Sequence, residues 1–230
     1  MSPSKREVEE HEKTHLPYRD WCEHCVSGKG RADNYKRNQA EEEGEELQTA
    51  VTTYALDYMW LGENAERVEV EDGVSSSIGR PILVGADRKT KGLAANRTEK
   101  KGAGCGWIVK RVCEDIREAG YGGSRIRLKT DQEAAIKEVQ SKVIEARSAE
   151  TAPAHSKVGE SKSNSFVEKA IGRVQGQVRT MKHALESKIG RRISIESPIL
   201  DWMIGWAVST INRFSRDKDG KTAYKRIRGR

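Results

Sequence analysis

Between Thr49 and Leu61 runs a β-rich apolar segment, T-A-V-T-T-Y-A-L-D-Y-M-W-L, with a single carboxylate, Asp57, inside it. An unpaired carboxylate is expensive to bury. Any fold that buries this run must therefore pair Asp57, turn it to solvent, or aim it at a metal. Two further acids follow structured segments: Asp131 closes the alternating run Ile126, Leu128, Thr130, and Glu168 stands early in a long helical pattern. Each has a second reading. Asp131 is a favoured N-cap for the helix after it, with Glu133 solvated in its first turn. Ser165-Phe-Val-Glu168 is a capping-box pattern, although Ser161 to Asn164 also offers capping groups upstream. Glu168 borders the apolar stripe Val167, Ile171, Val174, Val178, Met181 and Leu185, from which it can reach the edge of a sheet. Glu160, ahead of the helix, is the alternative third acid.

Around these acids the periodicity alternates between strand and helix. Residues 49–61, Arg80–Asp87 and Gly92–Asn96 read as an antiparallel meander, with 62–78 as its first hairpin loop. Ile108, Val109, Val112, Cys113 and Ile116 recur at helical spacing up to Gly120. A strand over 124–130 and a helix over 131–147 come next, then two long helices. The strand expected in 150–156, E-T-A-P-A-H-S, is weakly written. Trp202 and Trp206, one helical turn apart, read as core.

The N-terminal 35 residues carry a closely spaced donor set: His11-Glu-Lys-Thr-His15 and Cys22-Glu-His-Cys25. Two His four apart share a helical face, and Cys-x₂-Cys forms a metal knuckle, so His11, His15, Cys22 and Cys25 suit a tetrahedral structural Zn²⁺. His24 is an alternative donor, and Pro17 forces the chain out of helix between the two halves. Cys105 and Cys113 read as core thiols. An acidic linker, 36–48, separates this module (1–35) from the core (49–214), and a basic tail occupies 215–230.

Charge is unevenly spread. Residues 155–230 hold 17 Lys and Arg against 7 Asp and Glu, a net of +10, whereas the rest of the chain nets −3. Such asymmetry points to a polyanion, most often nucleic acid, facing the C-terminal third. Lys162, Lys169, Arg173, Arg179, Lys182, Lys188, Arg191 and Arg192 form a row along the Glu168 helix, with Lys162 and Lys169 the best candidates for phosphate contacts. Neither a signal-peptide pattern nor an apolar run of membrane-spanning length is present, so a soluble intracellular protein is expected.

Residues 50–228 resemble the catalytic core of a copia-type retrotransposon integrase. The resembling segments, in the family's order, are Y-A-L-D-Y-M from Tyr54, R-P-I-L-V-G-A-D from Arg80, L-K-T-D-Q-E from Leu128, S-K-S-N from Ser161, V-E-K-A from Val167, G-Q-V-R-T from Gly176, I-N-R-F from Ile211 and D-G-K-T from Asp219. L-P-Y-R-D-W-C-E-H-C-V from Leu16 resembles the cysteine half of the family's N-terminal zinc module. The resemblance implies an α/β RNase H-like fold, a five-stranded mixed sheet flanked by helices. It implies an Asp57–Asp131–Glu168 triad holding two Mg²⁺ (or Mn²⁺) ions, with DNA gripped by Lys162, Asn164, Lys169 and Arg173. It further implies a polyprotein made in the cytoplasm and acting as a homo-oligomer on cDNA ends and target DNA in the nucleus. Two other classes remain open at this point: a catalytically inactive DNA-binding relic of the same fold, and a zinc-dependent interaction module.

Overall fold

The computed structural model describes residues 3–29, 51–65, 79–155 and 165–229. The acidic linker 36–48, Glu160, Lys162 and Asn164 lie outside them. Two short helices, α1 (Lys5–Glu12) and α2 (Glu23–Lys29), precede the core. The core then runs β1 (Thr52–Met59), β2 (Ile82–Asp87), β3 (Leu93–Arg97), α3 (Gly106–Ile116) continuing as a π-turn over Arg117–Tyr121, β4 (Ile126–Thr130), α4 (Ala134–Ala146), β5 (Thr151–His155), α5 (Ser165–Ile189), α6 (Pro198–Phe214) and α7 (Ala223–Arg228).

The sheet order is β3-β2-β1-β4-β5. β1, β2 and β3 are antiparallel neighbours, whereas β4 pairs parallel to β1 and β5 parallel to β4. This is the five-stranded mixed sheet expected of an RNase H-like fold, including the weakly written β5. Every residue of β2 is buried, because both sheet faces are covered. On one face Tyr54, Leu56, Tyr58 and Leu83 pack with Ile108, Val112 and Ile116 of α3 and Ile136, Val139 and Val143 of α4. On the other, Met59, Ile82, Val84 and Ala86 pack with Ile171, Val174 and Val178 of α5 and Met203, Ile204 and Ala207 of α6. The period-2 alternation of β1 thus feeds two cores. The R-K-T-K-G turn after β2 is fixed by the buried Asp87 carboxylate, which accepts from the Thr90 amide at 2.7 Å and from Tyr121 Oη at 3.0 Å.

Two sequence expectations are corrected. Trp202 and Trp206 are exposed, at 62% and 41%, and stack on each other with centroids 5.8 Å apart. Helical spacing is the same for an inner and an outer stripe; α6 turns Met203, Ile204, Ala207 and Val208 inward instead. Asp131 is not the N-cap of α4: that position is Glu133, and Asp131 Oδ1 accepts the Glu133 amide from two residues upstream. The basic C-terminal stretch contains α7, capped by Thr222, and Arg226 ties it down through Asp217 and Asp219 at 3.0 and 2.7 Å. Among the described residues no helix is long and apolar enough to cross a membrane.

Candidate active site and metal centre

Asp57 sits half-buried in β1, its Oδ1 accepting the Tyr58 amide at 2.8 Å. The parallel register pairs Ala55 with Lys129, so two residues further along each strand stand Asp57 and Asp131. Neighbouring parallel strands therefore bring the two aspartates to the same carboxyl end of the sheet, where open α/β sheets bind ligands. Glu168 lies in the first turn of α5, exposed, beside the buried Val167 and Ala170. That helix packs across β1 and β2. Glu133 is not simply solvated: its carboxylate pairs with Lys101 Nζ at 2.5 Å.

Of the basic candidates among the described residues, Lys169 and Arg173 are exposed on the first turns of α5, and Arg173 donates to Ser215 Oγ at 3.1 Å. The rest of the row is largely committed elsewhere. Arg179 Nε donates to the Gly28 carbonyl at 2.8 Å, Lys188 lies 3.6 Å from Glu12, and Arg192 bonds Asn64 at 3.0 Å. Lys182 is buried against Glu186 at 2.6 Å. A helical wheel gives the row but not the partners: α2 meets Arg179, α1 meets Lys188, and Lys182 pairs within α5.

The N-terminal donors converge. His11 Nε2 lies 3.3 Å from Cys25 Sγ, and His15 Nδ1 lies 3.5 Å from Cys22 Sγ. The ligand atoms of all four lie within 4.8 Å of one another, and all four residues are buried. Among the described residues they are the one group of three or more His, Cys, Asp and Glu side chains gathered closely enough for a metal; the three core acids are not so gathered. Tetrahedral Zn²⁺ with N and S ligands needs donor spacings near 4 Å, so the set fits. His11 and His15 do not share one continuous helix. A capping box of Ser4 and Glu7 starts α1, but it ends at Glu12, and His15 takes a left-handed φ of 52° as the chain turns toward Pro17. Cys22 lies just ahead of α2 and Cys25 in its first turn, which forms the knuckle.

Electrostatics favour the ligand state of the imidazoles. Burial, with His11, His24 and Lys29 nearby, pushes His15 down to about 4, and burial also lowers His11. Both are neutral at pH 7. Burial raises the Cys25 thiol, so a metal must displace its proton. His24 is outside the cluster; its Nδ1 meets His183 Nδ1 of α5 at 2.8 Å. That partner, 159 residues away, had no local signal. Nor did the seat of the module on α5: a Cβ on Gly28 would lie 2.6 and 2.7 Å from Thr180 N and Cα. Gln177 Nε2 donates to the Thr14 carbonyl at 2.7 Å across the same contact.

No family model and no curated protein matches the sequence. Solved structures do match. The intasome of simian T-cell lymphotropic virus aligns over 76% of this chain at 14% identity and a TM-score of 0.53. The chain spans about half of that protein, 53% of its length. The integrase catalytic core domain of HTLV-2, solved with magnesium in a trimeric form, aligns over 75% of this chain and 93% of its own, at 15% identity and a TM-score of 0.50. The fold is that of a retroviral-type integrase catalytic core, RNase H-like, preceded by a His-His-Cys-Cys cluster that fits a zinc module.

Proposed function

We propose that this chain is a DNA-integrating polynucleotidyl transferase, and that Asp57, Asp131 and Glu168 are its catalytic acids. The observation that supports the reading is the β1–β4 register, by which Asp57 and Asp131 stand at the same end of neighbouring parallel strands in an integrase-type sheet. Glu168 enters from α5, which packs on β1. An all-carboxylate donor set suits a hard cation such as Mg²⁺ or Mn²⁺. Asp57, Asp131 and Glu168 would together hold the catalytic metal. Like charges hold such carboxylates apart until a cation offsets the repulsion. Bound metal would supply an activated oxygen nucleophile and stabilise the leaving oxygen of an in-line displacement. Phosphate contacts from Lys162, Asn164, Lys169 and Arg173 would hold the backbone in place without reading sequence. The reactions in this reading are trimming of a cDNA end and joining of its 3′-hydroxyl to target DNA. In this reading the copia-type segments support a retrotransposon polyprotein whose integrase would act in the nucleus, and the four N-terminal donors would hold structural zinc. The stacked, exposed Trp202 and Trp206 offer an apolar face for a homo-oligomer.

A strand-transfer assay on short duplexes with Mg²⁺ or Mn²⁺ tests this. Asp131→Asn abolishes transfer and leaves DNA binding intact. A wild-type chain that binds DNA without metal-dependent transfer would instead be an inactive relic of this fold.

A further inference from the structure

The loop 98–105, between β3 and α3, is tied at its backbone. Gly102 N donates to Tyr58 Oη at 3.1 Å and Ala103 N to Glu138 Oε2 at 3.2 Å. Gly102 takes a φ of 91°, and a Cβ there would lie 2.7 Å from Glu138 Oε2, so the close fit depends on glycine. None of these ties uses the side chain of Lys101. That side chain instead crosses to the carboxyl ends of the two acid-bearing strands. Its Nζ stands 4.3 Å above the ring of Trp60, three residues after Asp57, and 5.8 Å from the ring of Tyr58. The same Nζ meets Glu133, two residues after Asp131, whose amide is held by Asp131 Oδ1 at 3.0 Å.

We propose that Lys101, seated on Trp60, is a backbone-phosphate contact for the DNA strand that reaches Asp57 and Asp131. The proposal rests on the reading that these acids act on DNA. An aromatic ring orients an ammonium without neutralising it. The Lys101–Glu133 pair is partly exposed, at 30% and 38%, where an ion pair is weak enough for a phosphate to replace it. Carboxylates at a sheet end repel an incoming phosphodiester, and α5 offers cations on one sheet face only. Lys101 comes from the loop leading to α3, on the opposite face, so the strand is gripped from both sides of the acids. Glu133 holds the ammonium in reserve until the phosphate arrives.

The test is the affinity of the full chain for a short fluorescent duplex, measured against salt without divalent metal. Each phosphate contact contributes a slope of about 0.9 in log K against log salt. Lys101→Met, which keeps the stem over Trp60, flattens the slope by about 0.9, or roughly eightfold weaker binding at 0.1 M salt relative to 1 M. Glu133→Gln frees the ammonium and tightens binding, which guards against a misfolded Lys101→Met. A wild-type slope in Lys101→Met with wild-type affinity in Glu133→Gln overturns the contact and leaves Lys101 a structural tie. If wild type transfers no strand but both variants shift as stated, the phosphate contact stands and the enzymatic reading falls. If wild type binds no duplex, both are overturned.

Discussion

Replacing Gly28 by alanine sets helix propensity against docking, and the structure decides which wins. In a free helix the change favours α2 by up to about 1 kcal/mol, less at the penultimate position of a helix as short as Glu23–Lys29. Docked on α5, the new Cβ meets Thr180 N and Cα at 2.6 and 2.7 Å, with Thr180 Oγ1 closer still. Two of these are backbone atoms at a buried position of α5 and cannot rotate away. Overpacking of this kind costs about 1–3 kcal/mol. Moving α2 outward also lengthens the 2.8 Å bond from Arg179 to the Gly28 carbonyl, worth about 1 kcal/mol. The docked state is therefore expected to lose about 1–3 kcal/mol net. Equilibrium urea unfolding of the zinc-loaded chain measures it. Adding Thr180→Ala should recover only the part due to Oγ1, because the backbone contacts remain. A Gly28→Ala protein as stable as wild type, or more so, refutes the seating of the module on α5.

Three other outcomes are expected. Wild type carries stoichiometric zinc by metal analysis and Cys25→Ser loses it, and with zinc near a thousand times Kd its removal lowers stability by about 4 kcal/mol; a metal-free wild type with unchanged folding refutes the site. Burial pushes the Asp115 carboxyl up to about 6, offset in part by Arg111 at 2.8 Å and Asn96 at 2.7 Å. A raised carboxylate stabilises below its unfolded value and is lost as pH rises through the folded one, so wild type loses up to about 3 kcal/mol between pH 4 and 7. Asp115→Asn removes that part of the slope; unfolding curves with identical pH dependence contradict it. Finally, Trp202→Ala with Trp206→Ala lowers the sedimenting mass while leaving the melting temperature nearly unchanged, since both rings are exposed; an unchanged mass places any self-association elsewhere.

What was legible in the sequence was whatever depends on neighbours along the chain. The period-2 run around Asp57, the 3.6-period stripes of α3, α4 and α5, and the close spacing of His11, His15, Cys22 and Cys25 are local signals. They predicted the element order and the zinc-type cluster that the structure bears out. Even β5, Thr151–His155, was placed by order rather than by its own composition, since a strand whose burial alternates beside β4 needs little intrinsic propensity.

Sidedness was decided only by tertiary structure. A helical stripe states that residues share a face, not whether that face is inside, and so Trp202 and Trp206 were misassigned while Lys182 was counted with the surface cations. That Asp57 and Asp131 stand at the same end of neighbouring strands comes from inter-strand register across more than 70 positions, which no window along the chain contains. The same holds for His24 with His183, Gly28 with Thr180, and Lys101 between Trp60 and Glu133. Each joins segments whose approach is set by the free energy of the whole core. A sequence writes its elements one at a time; which of their side chains meet is determined when the sheet closes and both its faces are buried.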